Sequence, residues 1–306
     1  MQDKPRVLVP FSAEDLGGFP AGLRVDTWDG TGDPPRDLAD VAMYVLPYAG
    51  GQNTTDVLAE MSGLRVAQSL TAGVERLLPL LPPHVVLCNG RGLHDASAAE
   101  HALALILAAQ RDLPRWVRDQ DAHRWAPHFT RSLAGSRVLI LGYGSIGAAL
   151  DTRLRACEAE VVRVARARRP AEHVHGIAEL PDLLPHADIL VSILPDTDHT
   201  RGLLGAKELA LLPDEALVVN IGRGTAVDTL ALVAETASGR LRVALDVTDP
   251  EPPPAEHPLW SAANVLITPH VAGGSATFYP RARRFVADQL RRFAEGRDLR
   301  NVVPRD

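Results

Sequence analysis

Three stretches of this chain carry side chains whose types and spacing suit chemistry on a small anion. Residues 219–224, VNIGRG, end an apolar run and frame Arg223 between glycines. A guanidinium at a strand end offers a flat fork that matches a carboxylate in a bidentate way. Residues 245–252, LDVTDPEP, place Asp246 at the end of another apolar run and Glu251 in a proline-rich loop. The fixed φ of proline keeps such a loop stiff and extended. Residues 267–274, ITPHVAGG, set His270 after a third run and before paired glycines. Imidazole is the side chain best suited to give and take a proton near neutral pH. Singly, each has an ordinary reading too: a surface arginine in a turn, a solvated loop acid, a loop histidine.

A fourth stretch adds a phosphate-binding element. Residues 142–147 read GYGSIG, preceded by the apolar run 138–141 and followed by a helical pattern and a β-branched run, 161–164. In that context Gly142 takes the tight turn, Gly144 lets backbone approach a pyrophosphate, and Gly147 lets the helix pack on the strand. Tyr143, Ser145 and Ile146 complete the loop, and the helix N-terminus offers N–H groups to phosphate. The second strand of such a unit ordinarily ends in an acid that binds the adenosine ribose. Here it ends Ala165-Arg166-Ala167-Arg168-Arg169. A missing acid beside arginines points to a phosphorylated ribose, hence NADP(H), with NAD(H) possible.

The elements that must position these groups follow from the pattern. Apolar, β-branched runs at 7–10, 41–46, 64–70 and 85–88 alternate with helical patterns such as 55–61, which favours a parallel sheet with crossover helices. Residues 97–111, SAAEHALALILAAQR, are strong helix formers and apolar on most faces, so a buried helix between two domains is expected. Residues 112–136 read as a polar connector. Strands are expected at 137–141, 161–165, 188–194, 216–221, 241–246 and 265–268: six, with the glycine loop after the first. A last helix spans about 276–295, with Arg281, Arg284, Arg291 and Arg292 on a solvated face, and the tail 299–303 is placed to return to the first domain.

Bulk properties set the class. The 306 residues are enough for about two domains. Hydrophobic content of 46% with 23% charged residues fits a water-soluble globular chain, and a net charge of −6 argues against a nucleic-acid partner. No apolar run reaches the roughly 18 residues of a membrane span. The first residues lack the apolar core of a signal peptide, and two cysteines, Cys88 and Cys157, cannot form a disulfide framework, so a reducing cytoplasm is expected. His173-Val174-His175 alone suggests a metal, with no third ligand evident; no metal is expected.

In their order, GYGSIG, GRG, the proline-held Glu251 and TPH-x-AG resemble the D-isomer-specific 2-hydroxyacid dehydrogenase family. The likeness covers nearly the whole chain. Residues 97–111 resemble the family's interdomain helix, 194–205 (LPDTDHTRGLLG) its cofactor-side loop, 72–74 (AGV) its substrate-domain loop, and 246–260 the long signature around the family glutamate. The implied fold is α/β: two doubly wound parallel-sheet domains, with a Rossmann cofactor domain (96–276) inserted into a flavodoxin-like substrate domain (1–95 and 277–306).

The resemblance also implies roles. Arg223 holds the substrate carboxylate and polarises the keto oxygen. His270 is the general acid of reduction and the base of the reverse reaction, and Glu251 orients its ring and favours its charged form. Negative charge developing on a ketone oxygen requires such a donor and a fixed cation. The backbone of Gly73 and Val74, next to Ala72 in the same loop, is a second carboxylate grip, or equally a plain glycine turn, and Tyr48 faces substrate or covers the loop. Pro195 and Thr200 line the adenosine and phosphate path. Asp246 contacts the nicotinamide carboxamide or caps a strand end, while Ile221, Gly222, Ala272 and Gly273 let backbone approach the cofactor. Arg166, with Arg168 or Arg169 assisting, meets a 2′-phosphate where Ala165 removes the usual repulsion. The whole resembles NADPH-using glyoxylate and hydroxypyruvate reductases. A homodimer through the cofactor domains is implied as well. The alternatives are an NAD-linked phosphoglycerate-type dehydrogenase and a dinucleotide-sensing corepressor or scaffold of the same fold.

Overall fold

The computed structural model describes residues 4–48, 51 and 53–305. Next to the substrate-side candidate Tyr48, Ala49, Gly50 and Gln52 lie outside the described residues. The chain divides into two compact units, residues 1–94 with 276–306, and residues 95–275.

The first unit is built on five strands: β1 Arg6–Val9, β2 Arg24–Thr27, β3 Val41–Val45, β4 Val66–Gln68 and β5 Val86–Cys88. They form one parallel sheet in the order β2-β1-β3-β4-β5, the flavodoxin-like arrangement. Alternate residues of β1 serve opposite faces, as a period of two requires. Val7 and Val9 pack with Phe278, Ala282, Val286 and Leu290 of the helix Phe278–Ala294, whereas Leu8 joins Tyr44, Leu46 and Leu87 on the other face. The tail does return to this sheet: Val303 N–H donates to Leu87 O at 2.8 Å and Asn89 N–H to Asn301 O at 3.0 Å.

The second unit holds seven strands rather than six: β6 Arg137–Leu141, β7 Glu160–Ala165, β8 Val174–Gly176, β9 Ile189–Ser192, β10 Leu217–Asn220, β11 Arg242–Leu245 and β12 Val265–Ile267. All neighbours are parallel, in the order β12-β11-β10-β9-β6-β7-β8. This is the dinucleotide-fold order with one more strand at its far edge. Val138 and Ile140 face one core and Leu139 and Leu141 the other, so β6 is apolar throughout, as a strand covered on both faces must be. The helix Asp95–Gln110 lies on one face, packing Ala99, Ala102 and Ile106 with Leu150 and Leu154 of the helix Ser145–Ala156.

Three elements escape the sequence pattern. The edge strand β2, RVDT, is half-exposed and carries two charges, so it shows no apolar run. The strand β8 is three residues long and overlaps the suspected metal motif. There His175 Nδ1 donates to Glu179 Oε2 at 2.7 Å, and no metal-holding cluster occurs among the described residues. Residues 112–136, expected as a connector, contain the helix Leu113–Asp121, with Pro114 in its first turn. A proline there starts a helix rather than breaking one.

Candidate active site

The strand order reverses between β6 and β9, whose residues Leu141 and Ser192 pair. Open α/β sheets bind ligands outside the carboxyl ends of strands at such a reversal. The glycine loop follows β6 there. Gly142 has φ +103°, a conformation glycine adopts without strain, and a Cβ would lie 2.7 Å from Ile193 O. The position over Gly144 is open, with no atom within 4 Å of where a Cβ would sit. Gly144 also caps the helix Ser145–Ala156, whose first N–H groups have no intrahelical acceptor. Clear backbone and a helix N-terminus together fit a pyrophosphate. The Ser145 hydroxyl donates to Asp95 Oδ1 at 3.1 Å.

The arginine turn follows β10. Asn220, buried at the strand end, donates from Nδ2 to Arg223 O at 2.9 Å and accepts from Gly222 N–H at 3.1 Å. Its amide fixes the turn, and sequence reasoning missed it. Neighbouring protein backbone alone already requires glycine at both flanking positions. A Cβ on Gly222 would lie 2.5 Å from Leu194 N and O, and one on Gly224 1.9 Å from Thr248 O. Arg223 therefore sits on backbone threaded between the 193–194 and 248–249 segments. Its Nη1 donates to Gly222 O at 2.9 Å. Nearby, Asp196 is held below the usual carboxylate range, first by its hydrogen bond from Arg201 and also by Thr225 and the charge of Arg223, against the opposing effect of burial.

His270 follows β12 in a left-handed conformation, φ +53°. Its Nδ1–H donates to Glu251 Oε1 at 2.6 Å, and both side chains are about half-exposed. That leaves Nε2 directed away from the carboxylate. The loop carrying His270 is anchored by Asp246, one of the most buried charged residues in the chain. His270 N–H donates to Asp246 O at 2.8 Å. Asp246 Oδ1 accepts from Val271 N–H at 2.9 Å and from the Thr268 hydroxyl at 2.6 Å, and Oδ2 accepts from Ala272 N–H at 2.9 Å. His101, from the helix Asp95–Gln110, donates from Nε2 to Thr268 Oγ1 at 2.9 Å and lies 3.3 Å from Asp246 Oδ1. Asp246 thus clamps the histidine loop at both ends, and His101 is a second residue the sequence did not reveal.

Other expected positions have defined places. Thr200 closes its own turn, donating to Pro195 O at 2.6 Å and accepting from Thr197 N–H at 2.9 Å. Ile221 is buried and donates to Ser192 O at 3.1 Å. Ala165 ends β7, and Arg166 is exposed with no partner among the described residues. Arg168 lies 3.6 Å from Glu179, whereas Arg169 Nη2 donates to Tyr143 O at 2.8 Å. Trp260 Nε1–H donates to Pro254 O at 2.9 Å, so its indole closes the proline-rich loop.

In the first unit, the 70–74 loop is held from below. Asn89 Nδ2 donates to Ala72 O at 3.0 Å, Thr71 Oγ1 to Gly73 O at 2.7 Å, and His94 Nε2 to Leu70 O at 2.9 Å. The N–H groups of Ala72, Gly73 and Val74 have no partner among the described residues. Tyr48 stacks on Phe278 and His94, with ring centroids 4.0 and 5.2 Å apart.

A family model for the NAD-binding domain of D-isomer specific 2-hydroxyacid dehydrogenases matches residues 103–272. The chain belongs to that family. It is an NAD(P)-dependent oxidoreductase of 2-hydroxy acids. Glyoxylate reductase of Aeropyrum pernix is 32% identical, the match covering 99% of this chain and 97% of that one. Glyoxylate/hydroxypyruvate reductase A of Klebsiella pneumoniae is 30% identical over 97% of this chain and 95% of its own. Among solved structures, a family member from Xanthobacter autotrophicus in complex with NADPH and MES superposes with TM-score 0.82 at 30% identity, covering 99% and 98% of the two chains. An NADPH-dependent glyoxylate/hydroxypyruvate reductase from Sinorhizobium meliloti, in complex with NADP and sulfate, gives 0.83 at 27% identity, covering 98% of each.

Proposed function

We propose that this 2-hydroxyacid dehydrogenase is an NADPH-preferring reductase of small 2-keto acids, with glyoxylate and hydroxypyruvate as its substrates. The observation that carries the reading is the 2.6 Å hydrogen bond from His270 to Glu251, on a loop clamped by Asp246 in the unit that bears Arg223. Residues 95–275 serve as the cofactor domain and the remainder as the substrate domain.

Bound reduced nicotinamide supplies the hydride. Gly142, Gly144 and the N-terminus of the helix Ser145–Ala156 hold the pyrophosphate; Ile221, Gly222, Ala272 and Gly273 line the path, with Pro195 and Thr200 shaping the loop beside it. Arg223 pairs with the substrate carboxylate and polarises the keto oxygen. His270, kept in one orientation and tautomer by Glu251, delivers the proton from Nε2 to that oxygen as charge develops on it. Taken by itself, the substrate domain offers the unpartnered N–H groups of residues 72–74 as a carboxylate grip, and Tyr48 stacks on His94, which donates to Leu70 O.

Three findings support the NADPH preference: no acid ends β7, Arg166 is exposed and unpaired, and the structural relatives include NADP-bound reductases. Leu113, Val117, Trp125 and Phe129, all within residues 112–136, are exposed large apolar side chains, which supports a second copy as partner. A monomer in light scattering would remove the dimer reading.

The test of function is a matrix of initial rates, crossing NADPH and NADH with glyoxylate, hydroxypyruvate, 3-phosphohydroxypyruvate, pyruvate, phenylpyruvate and 2-ketoisocaproate. Fastest turnover with NADPH and with glyoxylate or hydroxypyruvate is expected. A preference for NADH with 3-phosphohydroxypyruvate would favour the phosphoglycerate type, and tight cofactor binding without turnover on any acid would favour a sensor.

A further inference from the structure

The unit of residues 95–275 contains a second buried carboxylate that the reaction does not use. Asp151 lies on the glycine-loop helix, two turns in, with its side chain 5% exposed. Its Oδ2 accepts from the Tyr143 hydroxyl at 2.8 Å and from Arg163 Nε at 2.8 Å; its Oδ1 accepts from Arg155 Nε at 2.6 Å. Tyr143 is the second residue of the glycine loop and Arg163 lies on β7, so one carboxylate ties three elements together. Burial raises the Tyr143 phenol above its ordinary pKa, with the hydrogen bond to Asp151 adding to the effect, so the hydroxyl stays a donor.

The network continues toward the adenosine side. The guanidinium of Arg163 lies 5.2 Å from the centre of the Tyr143 ring, and that of Arg169 5.8 Å. Arg169 donates to Tyr143 O and pairs with Glu172 at 3.3 Å, while Arg163 Nη1 donates to Glu172 O at 2.8 Å. Among the described residues, the side-chain links between the glycine loop and the 166–172 segment thus involve Tyr143 and Arg163, whose side chains Asp151 holds, beside the backbone bonds from Gly142 and Tyr143 N–H to Val164 O. Arg169 is consumed in this scaffold. Among the described residues, Arg166 is left as the unpaired cation at the end of β7, with Arg168 held only loosely by Glu179.

We propose that Asp151 is a positioning residue for cofactor selectivity: through Tyr143 and Arg163 it fixes the 166–169 segment to the glycine loop, so that Arg166 stands ready for a ribose 2′-phosphate. Arg169 acts as the brace, not as the phosphate ligand. This rests on the NADPH reading. A pre-ordered cation loses little freedom on meeting its anion, so disordering the segment weakens only the ligand that carries the extra phosphate. NAD+ shares the pyrophosphate and lacks the 2′-phosphate, which makes the ratio of the two affinities the readout. A merely structural carboxylate would weaken both cofactors alike.

The experiment is calorimetric titration of NADP+ and NAD+ into the full-length wild type and the Asp151→Asn, Tyr143→Phe and Arg166→Ala variants. Asp151→Asn should raise the Kd for NADP+ about tenfold, the size of a lost charge-assisted contact, and shift that for NAD+ by less than about twofold. Its kcat at saturating NADPH should stay unchanged. Tyr143→Phe should move the ratio in the same direction by less, and it decides the matter if Asp151→Asn does not fold. Parallel weakening of both cofactors, or an unchanged ratio, overturns the proposal. A wild type that binds the two cofactors equally overturns the NADPH reading instead; Asp151 is then judged solely by whether its substitution changes the ratio.

Discussion

Two buried aspartates in one unit are used in opposite ways. Asp246 collects main-chain N–H groups from Val271 and Ala272, the Thr268 hydroxyl and the nearby His101, and so fixes a loop that bears a reacting side chain. Asp151 collects only side chains, Tyr143, Arg155 and Arg163, and so fixes the relation between two cofactor-side segments. A carboxylate satisfied by backbone donors dictates where the main chain goes. One satisfied by long side chains transmits position through groups that retain some play. The first arrangement suits proton delivery, where displacement of about 1 Å is costly. The second suits selection between ligands that differ by one phosphate.

Substitutions can break this contrast. Asp246→Asn should be the most damaging of them. An amide accepts at only one of its two heads, so its NH2 would face either the Val271 or the Ala272 N–H. Loss of about 3 kcal/mol in chemical denaturation is expected, together with a fall of about a hundredfold in kcat/KM. Stability and activity both near wild type would show that the clamp does not position the loop. Glu251→Gln comes next. It keeps the shape of the side chain but removes the charge that holds the His270 ring, and should lower kcat by ten- to a hundredfold, roughly the share of oriented acid catalysis. The Kd for NADP+ should not follow, and if it did, Glu251 would belong to cofactor binding. The Asp151→Asn effect, about tenfold and confined to NADP+ affinity, ranks third. His101→Ala should do least. It removes one hydrogen bond to Thr268, worth about 1 kcal/mol, and should cost a few-fold in kcat with no change in cofactor preference. A shift in preference would merge the two networks that the structure separates.

Much of this fold was legible because its strands are apolar on both faces and its glycine loop sits between a strand and a helix. What escaped was structure without an apolar signal. The strand β2 carries Arg24 and Asp26, β8 has three residues, and the helix Leu113–Asp121 is polar with a proline at its start. In the site, Arg223, Glu251 and His270 stood out because each lies just beyond a strand. Asn220, His101 and Asp151 did not. Their partners are set by tertiary packing: His101 meets Thr268 across 167 positions of sequence, and Asp151 has the look of an exposed helix acid until β7 is laid beside it. The backbone that crowds Gly222 and Gly224, at residues 193–194 and 248–249, was likewise not legible, because it comes from segments distant in sequence.

The most direct test of the account is NADPH-linked reduction of glyoxylate and hydroxypyruvate by the wild type and by His270→Ala, with NADP+ affinity measured in parallel. The account predicts steady turnover by the wild type, a loss of about 10³-fold in kcat for the variant, and NADP+ affinity within about twofold between them. A variant that turns over at near the wild-type rate, or a wild type that binds NADP+ and reduces neither glyoxylate nor hydroxypyruvate, would contradict it.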